Sequence, residues 1–180
     1  MMLRKSLRQT AAIGAAMIVS AGVAHAQTTL IAFLNGAQEA PTPSVTSAFG
    51  NGTVVLNAAR TQITLNLTFS GLLAPFTVGH IHEAPFGVSG PVRFDFGSQV
   101  VLGAGGTSGV LTNAVFNVTD VQVAALLAGN MYFNVHSSTF PAGEVRGQLN
   151  VVPEPASMAL LAGGLAGLAV IIRRRKRADT

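Results

Sequence analysis

Between Gln62 and Phe69 the chain reads QITLNLTF, with apolar and polar residues taking strict turns. In an extended segment Ile63, Leu65, Leu67 and Phe69 share one side, and Gln62, Thr64, Asn66 and Thr68 the other. That period of two, with its β-branched residues, specifies a half-buried antiparallel strand. Wound into a helix, the same apolar side chains would scatter around the whole circumference. Much of the chain repeats the instruction. Thr29 to Leu34 is a first strand closed by the turn signal Asn35-Gly36, and Pro41 and Pro43 make the next stretch a loop or irregular edge. Gly52 to Asn57 is the hairpin partner of Gln62 to Phe69 across Ala58 to Thr61. Pro91 to Phe96 alternates with Val92, Phe94 and Phe96 inward, and Gly109 to Asn117 is a further strand.

One helix interrupts this series. Thr119-Asp120-Val121-Gln122 has the form of a capping box, opening a short helix through Ala128 that Gly129 ends. The last two strands are the most informative. In Asn130 to His136, Met131, Phe133 and Val135 take one face and Tyr132, Asn134 and His136 the other. SSTFPAG turns the chain, and Glu144 to Val151 returns. Setting His136 opposite Glu144 places Asn134 opposite Arg146 and Tyr132 opposite Gln148. One face of the hairpin is then core and the other wholly polar, a candidate binding face made of Tyr132, Asn134, His136, Glu144 and Arg146. Phe133 lies over Gly147, where the missing side chain leaves room for a ring. Seven or eight short strands with turns at these intervals specify an all-β sandwich or Greek-key barrel.

The composition is 49% hydrophobic and 10% charged, and part of the apolar excess sits at the two ends. At the N-terminus Arg4, Lys5 and Arg8 precede an apolar run from Ala11 to Val23 and the small-x-small site Ala24-His25-Ala26. Residues 1–26 are therefore expected to be a secretory signal peptide, cut by signal peptidase, with His25 leaving in it. At the C-terminus, residues 156–172 are uncharged and are expected to form a transmembrane helix, held by the basic run Arg173, Arg174, Arg175, Lys176 and Arg177 on the cytoplasmic side. Val152-Pro153-Glu154-Pro155, the apolar helix and the basic end come in that order. This tail, residues 151–177, resembles the bacterial PEP-CTERM sorting signal, whose motif is Pro153, Glu154 and Pro155. The resemblance implies recognition by an exosortase, a membrane cysteine transpeptidase, and removal of the helix. It also implies a bacterium with an outer membrane, placing the product at the cell envelope, the outer surface or the extracellular matrix.

Residues 27–150 remain as the exported domain. Three arginines (Arg60, Arg93, Arg146) stand against five carboxylates (Glu39, Glu83, Asp95, Asp120, Glu144), which leaves a charge of −2 with neutral histidine. Nucleic acid therefore has no electrostatic footing on it. There is no cysteine, so the domain stands without disulfides and offers no thiol nucleophile or thiolate ligand. The glycine-rich stretch Gly97 to Gly106 has no lysine and no following helix, so it is no phosphate cradle. No G-x-S-x-G elbow and no paired carboxylates at a strand end are present. No catalytic residue is assigned, and the domain is expected not to be an enzyme.

The histidines are the remaining chemistry. In the extended stretch Phe76 to Glu83, His80 and His82 share a face and Ile81 points to the other. With Ile81 in the core, the two imidazoles stand side by side, their Cβ atoms roughly 6.5–7 Å apart, and can reach one metal ion. A third ligand must come from another strand, and His136 is the only histidine left. Glu144 is a possible acceptor behind His136. Copper or zinc through neutral nitrogen is one reading. A network of hydrogen bonds that pins the loops is another, and contact with a ligand without metal is a third.

The stretches LNGAQEAPTPSVTSAFGNG (34–52), GHIHEAPFGVSGPV (79–92) and MYFNVHSSTFPAGEVRGQL (131–149) together resemble the CHRD domain, a module named after chordin and found in many exported bacterial proteins. The resemblance implies an immunoglobulin-like Greek-key β-barrel, distantly similar to the copper–zinc superoxide dismutases, and no general activity. Those dismutases also carry an H-x-H strand with a core residue between. Their two-metal site needs more histidines than the three left here, so dismutase activity is not expected. The expected role is adhesion, matrix structure or binding of an extracellular polysaccharide or protein, with metal binding as the alternative.

Overall fold

The computed structural model describes residues 26–153 together with residues 160, 163–165 and 168. The expected signal peptide up to residue 25, Glu154 and Pro155 of the sorting motif, and most of the segment 156–172 expected to form a transmembrane helix lie outside the described residues. Among the described residues no helix is long and apolar enough to cross a membrane.

Among the described residues ten strands build one antiparallel sheet, curled into a half-barrel. They are β1 (Thr28–Asn35), β2 (Phe49–Leu56), β3 (Gln62–Ser70), β4 (Phe76–Glu83), β5 (Val92–Asp95), β6 (Val101–Leu102), β7 (Gly109–Asn117), β8 (Met131–Ser137), β9 (Val145–Gln148) and β10 (Asn150–Val151). The spatial order is β5-β4-β8-β9-β1-β2-β3-β7-β6, with β10 set against β1. The β2–β3 hairpin pairs Val54 with Leu65 and Leu56 with Ile63. In its turn the Asn57 side chain accepts the backbone N–H groups of Thr61 and Gln62, at 2.9 and 3.2 Å, which holds Arg60 at a positive φ of 57°.

Inward side chains close the hollow of the curl. Leu30, Leu34, Val54, Leu56, Ile63, Leu65, Leu67, Ile81, Leu111, Phe133 and Val135 are almost wholly buried. Helix α1 (Asp120–Leu127) adds Val123 and Leu126 to this core. The expected capping box is formed: Thr119 Oγ1 accepts the Gln122 N–H, and the Gln122 side chain accepts the Thr119 N–H. Gly129, at φ 73°, ends the helix in the left-handed region.

Two sequence expectations about the core need correction. Phe94 and Phe96 are inward, but Val92 is 46% exposed. The β4–β5 ladder pairs Ile81 with Phe94 and His82 with Val92, so one extra residue bulges from β5 and reverses the side on which Val92 falls. Phe133 does stand opposite Gly147 in the β8–β9 ladder, but Leu34 fills the space over Gly147. The Phe133 ring instead crosses the hollow to Gly52 on β2, where an added Cβ would fall 2.5 Å from Cε2. In a curled sheet an inward ring reaches a facing strand rather than its ladder neighbour.

Candidate metal centre

Strand β4 lies between β5 and β8, which brings the histidines together. Ile81 is fully buried on the core side, so His80 and His82 project from the opposite side. In the β4–β8 ladder His80 stands opposite Asn134, His82 opposite Tyr132 and Val78 opposite His136. His136 is thus the diagonal neighbour of His80 on the same face. One nitrogen from each of the three rings lies within 4.8 Å of the others. His80 Nδ1 and His136 Nε2 are 3.3 Å apart.

The outer nitrogens are fixed by groups that can only accept. His82 Nδ1–H donates to Gly90 O at 2.8 Å, and His136 Nδ1–H donates to Pro141 O at 3.0 Å. Each ring therefore turns a lone pair on Nε2 inward, and His82 Nε2 is buried with no hydrogen-bond partner. The remaining ring has Nε2 at 4.0 Å from Asp95 Oδ2, which leaves Nδ1 as its inward atom. Burial, reinforced by its two histidine neighbours, pushes His136 down to about 4 against the pull of the Pro141 hydrogen bond. Burial likewise lowers His82. Both are neutral at pH 7, as metal ligation requires. Two ligands on a tetrahedral zinc ion with bonds of roughly 2.0–2.1 Å lie about 3.3–3.4 Å apart. The His80–His136 separation has that value, and in the metal-free chain it is a hydrogen bond from the His80 Nδ1–H to the Nε2 lone pair of His136, which an ion would replace.

A stack of three side chains stands behind the centre. The Tyr132 ring lies nearly parallel to His82, at 5.1 Å and 12°, and the Arg146 guanidinium carbon lies 3.5 Å from the Tyr132 centroid. Arg146 donates to Val88 O (2.9 Å), Pro85 O (3.2 Å) and Gln148 Oε1 (3.0 Å). Gln148 donates to Ala84 O, and Tyr132 Oη accepts the Gly90 N–H. The loop 84–91 is thereby fastened over the polar side of β8 and β9.

That loop overturns the expectation of an accessible binding face. The predicted pairing holds, with Tyr132 opposite Gln148 and Asn134 opposite Arg146. Yet Tyr132, Asn134, His136, Glu144 and Arg146 are all buried, Arg146 to 1% exposure. Glu144 also fails to support His136. It precedes β9, so strand alternation does not govern it. Its carboxylate accepts from Thr46 Oγ1 (2.7 Å), the Leu73 N–H (2.8 Å) and Ser137 Oγ. The group behind His136 is the Pro141 carbonyl.

Sequence reasoning missed Gly90 and Pro141, which act through backbone oxygens that no residue type advertises. It also missed Asp95, whose signal is its place opposite His80 in the β4–β5 ladder, and Glu39. Glu39 is buried beside Asn134, whose Nδ2 donates to it at 3.4 Å. Burial raises its pKa to about 7, although Arg146 and Asn134 pull the other way.

Comparison with known families gives two matches. The CHRD domain model matches residues 30–149, and the PEP-CTERM protein-sorting motif matches residues 151–176. Neither a curated protein nor a solved structure matches the chain.

Proposed function

The chain belongs to the CHRD domain family and ends in a PEP-CTERM sorting motif, and on that premise we propose that it is an exported cell-envelope module holding one copper or zinc ion on His80, His82 and His136. The sorting motif implies export and processing by an exosortase. The observation that carries the metal reading is the convergence of three imidazole nitrogens within 4.8 Å, with the outer nitrogens of two rings tied to backbone carbonyls. The superoxide-dismutase-like, immunoglobulin-like character of the barrel belongs to the same proposal. Its support is the His80-Ile81-His82 element with Ile81 in the core. No catalytic step is assigned.

The test is elemental analysis of the purified chain after loading with Zn²⁺ or Cu²⁺ and exhaustive dialysis. One ion per chain is expected, lost in His82→Ala. A wild-type chain that retains no metal overturns the reading.

A second reading, adhesion or matrix structure through a polysaccharide or protein ligand, has its own support. Strands β1, β2, β3 and β7 contain no charged residue, and their outward side shows Thr and Asn residues with Phe33 and Phe49 exposed. Such a face suits an uncharged ligand. A matrix role on that face survives His82→Ala, whereas the metal role does not.

A further inference from the structure

We propose that the metal centre keeps one coordination position free of protein and takes a small anion, or hydroxide, there. This rests on the metal reading of the same three histidines. A tetrahedral ion needs four donors, and among the described residues the cluster supplies three nitrogens. Glu83, Glu144 and Tyr132 are engaged elsewhere, and Glu39, whose Oε1 is buried without a hydrogen-bond partner, lies beside Asn134 and outside the cluster of ligand atoms. Glu83 comes directly after His82 along β4, so it falls on the other side, where it pairs with Arg93 Nε at 2.7 Å. The three acceptor contacts of Glu144 go to Thr46, Leu73 and Ser137. Tyr132 lies flat along the His82 ring, with its oxygen on the Gly90 N–H at 3.1 Å.

Asp95 comes nearest to being a fourth ligand. Its Oδ2 is 4.0 Å from His80 Nε2, the outward nitrogen of that ring, and its Oδ1 accepts the Gly97 N–H at 2.9 Å. That separation is beyond hydrogen-bond distance and lies on the side of the ring away from the ion, so Asp95 is neither a ligand nor a fixed partner of His80. Solvent reaches the centre at His80, whose side chain is 16% exposed. Three neutral imidazoles leave the full double charge on a divalent ion. With no carboxylate bound to it, that charge favours an anionic fourth ligand over a neutral one.

Cobalt(II) is the probe, because the visible bands of a four-coordinate ion report each change of ligand. The full-length chain is loaded with Co²⁺ and titrated with sodium azide. Intense tetrahedral bands that shift saturably with azide are expected, in the wild type and in Asp95→Asn alike. Bands that ignore azide in the wild type overturn this inference and leave the metal reading standing. A response that appears only in Asp95→Asn also overturns it, since Asp95 then filled the position. Absence of cobalt bands removes the metal reading and this inference together.

Discussion

Strands β3 and β8 both alternate apolar with polar residues, and both bury the apolar set, Leu65 and Leu67 in one, Phe133 and Val135 in the other. They differ in the fate of the second set. Along β3 the polar side chains Gln62, Thr64, Asn66 and Thr68 are exposed or half-buried, whereas along β8 every residue is buried. The difference extends to whole halves of the sheet. β1, β2, β3 and β7 contain no ionisable side chain at all, while β4, β5, β8 and β9 hold all three domain histidines, Tyr132, Glu83, Asp95 and two of its three arginines. Alternation settles which side faces the core. It says nothing about whether loops roof the other side, and here the chain 84–91 covers Tyr132 and Arg146 while Glu39 and Thr46 cover Asn134 and Glu144.

The sharpest way to break this comparison is to remove what holds the roof. Arg146→Ala leaves the carbonyls of Val88 and Pro85 and the Gln148 amide oxygen without their donor and bares the Tyr132 ring. A loss of about 3 kcal/mol in urea unfolding is expected. A variant as stable as the parent would show that the roof is held by something other than this guanidinium.

Next comes the pH dependence of stability. Glu39 has a folded pKa of about 7 against an ordinary 4.5, so the folded state holds an extra proton between those values. Its contribution is greatest below pH 4.5, falls as pH rises through 7 and is flat above. The drop amounts to about 3 kcal/mol at most. Glu39→Gln should flatten that part of the curve and be more stable than the parent at pH 8. An unchanged slope in chemical unfolding between pH 5 and 8 would count against a buried neutral carboxyl. The smallest effect belongs to the open half. Thr68→Val on the outward side of β3 should shift stability by less than about 0.5 kcal/mol, and a larger loss would reveal an unsuspected roof there too.

The same contrast explains what was legible in the sequence. The strands, the capping box at Thr119 and Gln122, and the pairing of Tyr132 with Gln148 came from local periodicity and turn chemistry, each of which acts within a few residues. Placing His136 with the His80–His82 pair required the β4–β8 pairing, made across more than fifty residues, and the sequence offered only the count of histidines. The bulge that turns Val92 outward leaves no compositional mark. The burial of Arg146 came out opposite to expectation, because a polar face reads the same whether it meets water or the carbonyls of a covering loop.

The last backbone bond of the folded unit joins the Val152 N–H to Thr29 O, just before Pro153 and within the stretch matched by the sorting motif. β10 adds only two paired residues, Asn150 and Val151, against Ile31 and Leu30. A mechanical load pulling on the chain beyond Pro153 therefore meets no slack. It unzips this short clasp first and is then borne by β9 and β1, interior strands of the sheet, so a tether at that end strains the body of the domain rather than its rim.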